Sequence, residues 1–206
     1  MGFILFDHNI YNQSAPKYVR NIANNIDTVK TGKMKTENIQ TRFNFHTRLD
    51  NAKTLADIFE VVKSAVWESR RKSRGGLMLG LANLGNNPQG FFGAFYPVGS
   101  NVIVMNKIPL ERIKETRPEI YKPYIFHVLL HEYMHTLGYL DENGVRKMVI
   151  EITSDVFGDE HLATGIAKDT AHFFNNLVYP GAAWQPDDMR MEIVPGFDRG
   201  STGYIG

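Results

Sequence analysis

The segment His131-Glu132-Tyr133-Met134-His135 sets two imidazoles four residues apart with a carboxylate between them. On an α-helix, positions i and i+4 share a face, so both rings reach one metal ion while Glu132 is directed at water on that ion. The chemistry this predicts is zinc-dependent hydrolysis, with His131 and His135 as ligands and Glu132 as general base. Seven histidines occur in the 206 residues, and the pattern arises by chance in roughly one such chain in a hundred.

The element that must carry these residues is a helix. Pro123 suits its first turn, and Tyr124-Ile125-Phe126-His127-Val128-Leu129-Leu130 runs directly into the motif. His127 falls on the same face, one turn earlier, where a hydrogen-bonded core or rim histidine is the expected role. Downstream, Asp141-Glu142-Asn143-Gly144 reads as a turn, and a second helix is expected from Val145 to about Phe157, stopped by Gly158. A further helix is expected over 167–177.

Catalytic zinc keeps three protein ligands, so one more donor is needed, and two candidates compete. Glu151 and Asp155 share one face of the second helix. Glu151 is then the metal ligand, and Asp155 is placed to accept the free ring N–H of a ligating histidine. Asp141 is the alternative metal ligand, six residues after His135. His161 and His172, which follow the second helix, and Tyr133 and Tyr139 are candidate oxyanion stabilisers, His161 the preferred one.

Two family resemblances attach to these alternatives. His131-Glu132-x-x-His135 followed by Glu151-x-x-x-Asp155 resembles the gluzincin signature, and Ser154-Asp155-Val156-Phe157-Gly158 is similar to the segment after the ligand glutamate in thermolysin-like peptidases. The resemblance covers roughly residues 120–160. It implies a minimal zincin-like catalytic domain, one catalytic Zn2+ held by His131, His135 and Glu151, an outer role for Asp155 toward His131, and a metalloprotease that hydrolyses peptide or protein substrates. His131-Glu132-x-x-His135-x-x-Gly138-x-x-Asp141 resembles the aspartate variant of the metzincin pattern, which implies Asp141 as third ligand and a methionine turn at Met189 or Met191.

Composition bounds the remaining possibilities. The chain lacks cysteine, which excludes disulfides, thiolate ligands and cysteine nucleophiles. A formal charge of +1 offers no general attraction for nucleic acid, and Arg70-Arg71-Lys72-Ser73-Arg74 reads as a solvated helix end. No apolar run is long enough to insert in a membrane and no signal peptide is recognised, so the expected location is cytoplasmic. A non-catalytic, metal-stabilised scaffold or interaction protein is the competing function class.

The expected fold is α+β: a small, mostly antiparallel sheet packed on helices. Residues 1–42 read as a peripheral arm with a short helix over 16–25, residues 43–178 as the catalytic domain, and 179–206 as an extended tail. Arg42-Phe43-Asn44-Phe45-His46 alternates like a strand, whereas Thr54 caps a helix running to about Lys72. Leu77–Leu84, Phe91–Tyr96 and Asn101–Met105 read as strands, the last two joined as a hairpin, with 101–105 a candidate free edge for an extended peptide. Either terminal segment, including 187–192, could lie in the cleft and hold the enzyme latent.

Overall fold

Thr54 opens the best-specified helix of the chain. Its side chain accepts from the Asp57 backbone N–H at 3.1 Å, and Asp57 accepts from the Thr54 N–H at 2.9 Å, a reciprocal box that satisfies two otherwise orphaned donors. The computed structural model describes residues 33–85, 93–174 and 190–199. Its helices are α1 (Lys33–Asn51), α2 (Leu55–Arg70), α3 (Lys107–Thr116), α4 (Tyr121–Thr136), α5 (Glu142–Phe157), α6 (Leu162–Lys168) and α7 (Thr170–Phe174). Its strands are β1 (Met78–Ala82), β2 (Ala94–Phe95), β3 (Val102–Asn106) and β4 (Glu192–Ile193).

The fold is α+β, as expected, and the sheet is mixed, in the order β2-β3-β1-β4. Its longest pairing is parallel, Met78–Ala82 against Val102–Asn106, and antiparallel pairs flank it on both sides. The predicted hairpin is present, with Ala94 opposite Met105 and Phe95 opposite Val104. It leaves β2, not the 101–105 strand, outermost on that side.

The apolar stripe of α2 (Ile58, Phe59, Val62, Val66) packs on α4, whose Ile125, Phe126, Leu129, Leu130, Tyr133 and Met134 are almost wholly buried. Burial of side chains of this size contributes about 1.5–3 kcal/mol each before the entropy cost of ordering is counted. Helix α4 is buried on most of its circumference, so the polar residues it carries are held in a low-dielectric setting.

Three expectations are corrected. Residues 42–46 are helical, because Phe45, Leu49 and Ala52 recur at helical spacing and bury against the core. The 141–144 segment starts a helix instead of forming a separate turn: Asp141 accepts from the Gly144 N–H at 2.7 Å and caps α5. Residues 190–199 are part of the fold. Glu192 and Ile193 pair with Leu81 and Gly80, and Phe197 stacks on Phe59 with ring centroids 4.1 Å apart. Asp198 is buried against Lys63 at 2.5 Å and accepts from the Leu77 N–H at 2.9 Å. The helix expected over 16–25 lies outside the described residues, and so do Met189 and the 187–189 part of the tail. The helix expected over 167–177 is divided between α6 and α7 up to residue 174.

The basic run after α2 is solvated at Arg71, Lys72 and Ser73, as expected, while Arg74 is half-buried. Arg70 pairs with Glu151, Arg71 with Glu68, and the Lys72 ammonium lies 4.7 Å from the centre of the Tyr139 ring.

Candidate metal centre

Helix α4 brings His131 and His135 together as the i,i+4 spacing requires: their Nε2 atoms are 3.1 Å apart. The Nδ1 of His135 is 2.7 Å from the carbonyl oxygen of Tyr139. A carbonyl can only accept, so His135 donates from Nδ1, the tautomer that in a neutral ring turns Nε2 toward His131 as an acceptor.

The third group is Glu142, in the first turn of α5. Its Oε2 lies 3.3 Å from His131 Nε2 and its Oε1 lies 3.2 Å from His135 Nε2. His131, His135 and Glu142 form a group of possible ligands, all nitrogen or oxygen donors, within 4.8 Å of one another. Two ring nitrogens and the two oxygens of Glu142 thus converge, each oxygen nearest a different ring, and with both rings neutral at most one N–H, on His131 Nε2, is available among them. Tetrahedral zinc with bonds of about 2.0–2.1 Å holds its donors about 3.3 Å apart, so the donor set and its spacing both fit.

Glu151 does not join this group. It stands nine residues beyond Glu142, which is about half a turn around α5 and roughly 13 Å along it. Its carboxylate closes on Arg70 at 2.5 Å and is largely exposed. Asp155 is exposed on that side of the helix, where Arg42 reaches its backbone carbonyl at 3.2 Å. Asp141 is occupied in capping α5.

His161 is also elsewhere. It caps α6 by accepting from the Ala163 N–H at 3.1 Å and stacks on Phe157, at the opposite end of α5 from Glu142, about 22 Å along the axis. Burial, with His46 beside it, pushes the His161 imidazole down to about 3. Tyr133 is buried and exchanges hydrogen bonds with the Arg74 backbone, and Tyr139 meets the centre only through its carbonyl. His172 is exposed on α7. His127 approaches the Thr170 hydroxyl at 3.5 Å, and burial followed by the His131 charge pushes it down to about 3. Met191 packs over Gly80 in the sheet, so it supplies no methionine turn beneath the histidines.

Glu132 is 7% exposed. Burial raises its carboxyl to about 7, the Glu142 charge adds to the rise, and a hydrogen bond from the Tyr96 backbone opposes it. This is the range in which a carboxyl group both takes and returns a proton near neutrality. For His131, burial and then the His135 charge push the imidazole down, against the pull of Glu142. Arg146, one turn after Glu142 on the same helix face, adds its positive charge to that lowering.

The signal that identifies Glu142 is in the sequence. Buried Val145, Val149, Ile152 and Val156 form a stripe spaced by four, three and four residues. Glu142 precedes Val145 by three and extends that stripe, whereas Glu151 lies off it. No protein-family model, no curated protein and no solved structure matches this chain.

Proposed function

We propose that the protein is a zinc-dependent peptidase in which His131, His135 and Glu142 hold the ion and Glu132 is the general base. The observation that carries this reading is the convergence of both histidine Nε2 atoms on the Glu142 carboxylate, each ring 3.2–3.3 Å from a different oxygen, beside the buried carboxyl of Glu132. When bound, zinc supplies Lewis acidity, making water more acidic and polarising a carbonyl.

The protein's own groups handle the proton. Glu132 accepts it from the attacking water and returns it to the departing amine, so the carboxylate ends as it began. The Tyr96 N–H holds the Glu132 carboxylate, and the carbonyl of Tyr139 holds the His135 ring in one tautomer. A peptide substrate is supported by β2. Among the described residues this strand is outermost on its side of the sheet, and the residue that follows it approaches Glu132, so an extended chain paired there runs past the general base.

Elemental analysis and cleavage of a mixed fluorogenic peptide library, run on wild type and Glu132→Gln, test this reading. The expected result is unchanged zinc content with hydrolysis reduced about 10²-fold or more. A Glu132→Gln protein that cleaves peptides at the wild-type rate overturns it.

A further inference from the structure

Arg74 is the one member of the basic run whose side chain reaches the elements on both sides of Glu132. Its Nη1 donates to the Tyr96 hydroxyl at 2.8 Å and to the Thr136 carbonyl at 2.7 Å, while Nη2 donates to the Ser100 carbonyl at 2.7 Å. Thr136 is the last residue of α4, one turn past Glu132, where a cation also complements the exposed carbonyls of the helix end. Tyr96 and Ser100 bracket the turn of the β2–β3 hairpin, and the Tyr96 hydroxyl itself donates to the Ser100 carbonyl at 3.0 Å. The Arg74 backbone is fixed in turn: its N–H donates to the Tyr133 hydroxyl at 2.8 Å, and its carbonyl accepts from that hydroxyl at 3.1 Å. Tyr96 is therefore held at its hydroxyl by Arg74 and Ser100, and the strand it follows, β2, packs on α4.

We infer that Arg74 is a positioning residue: its guanidinium clamps the β2–β3 turn to the end of α4 and so fixes the end of β2 against the helix that carries Glu132. The consequence for catalysis rests on the peptidase reading; the clamp itself does not. A planar fork with several N–H groups spans three acceptors at once, which a lysine ammonium on a flexible stem cannot reproduce. Loss of the clamp frees the hairpin without removing a metal donor. The predicted defect is in turnover and leaves zinc in place.

The test uses the full chain as wild type, Arg74→Ala, Arg74→Lys and Tyr96→Phe, with zinc content, hydrogen exchange over residues 93–101, and kcat and KM on the library. Expected are wild-type zinc content, exchange at the Tyr96 amide at least tenfold faster in Arg74→Ala, and kcat reduced about tenfold or more with KM changed less than twofold. Arg74→Lys should recover only part of either effect. Adding Tyr96→Phe to Arg74→Ala should cost less in kcat than it does alone, because of its two hydroxyl contacts the one with Arg74 is already gone and only that with Ser100 remains. Unchanged exchange over 93–101 in both Arg74 variants overturns the clamp. Faster exchange with unchanged kcat overturns its positioning role. If wild type cleaves nothing, the peptidase reading fails, and the exchange measurement alone decides the clamp.

Discussion

Glu142 and Glu151 stand on opposite faces of α5, the first 3.3 and 3.2 Å from the Nε2 atoms of His131 and His135, the second closed on Arg70 at 2.5 Å. One helix therefore offers a carboxylate to the candidate metal centre and another to a surface ion pair. The rotation of that helix decides which is which.

The 190–199 segment contributes stability as part of the fold. Asp198→Ala leaves the Leu77 N–H without its buried acceptor and the Lys63 ammonium with Glu60 alone, and destabilisation of about 2 kcal/mol is expected by urea unfolding. A change below about 0.5 kcal/mol would mean that the segment is dispensable.

Acid sensitivity follows from His161. Its folded-state value is about 3 against 6.5 for the free side chain, so the unfolded chain binds the proton first as pH falls. Stability is complete above about pH 6.5 and drains away below it, by about 2 kcal/mol between pH 7 and pH 5 from this group. His46, at a ring-centroid distance of 4.5 Å, is its titratable neighbour on α1, and His46 is itself pushed down, chiefly by burial, with Asp50 and Arg42 acting on it in opposite directions. His161→Asn keeps an acceptor for the Ala163 N–H and removes the proton site, so unfolding free energies measured from pH 7 to 5 should fall less steeply than in wild type. An identical slope would remove His161 as the cause.

Arg146 opposes a cation at His131. Replacing it by glutamate reverses one exposed charge near the centre, and zinc affinity measured by competition with a chromophoric chelator should rise about tenfold at low salt and less at high salt. Unchanged affinity at low salt would place the ion elsewhere.

What the sequence made legible was local. The i,i+4 histidines, the Thr54 cap, the Gly158 stop at φ 84° and the 94–105 hairpin each depend on residues close in the chain, and each is present. The third donor was not legible by the same means, because Glu142, Glu151 and Asp141 all sit on or beside one helix and only its docking against α4 selects among them. The stripe from Val145 to Val156 fixes that docking; the spacing of acidic residues does not. Residues 42–46 alternate over five positions like a strand, and their helical period shows only with Leu49, which buries beside Phe45 one turn on. The 190–199 segment was hidden for a different reason. Its strand is two residues long and is held by partners more than a hundred positions away, such as the Val194 N–H on the Leu79 carbonyl at 2.9 Å.

The central claim is the identity of the third donor, and the zinc stoichiometry of purified wild type, Glu142→Ala and Glu151→Ala tests it most directly. The account predicts about one zinc per chain in wild type and in Glu151→Ala, with Glu151→Ala losing less than about 1 kcal/mol of stability as an exposed ion pair is broken, and loss of the metal in Glu142→Ala. Retention of zinc by Glu142→Ala together with its loss from Glu151→Ala would contradict the account.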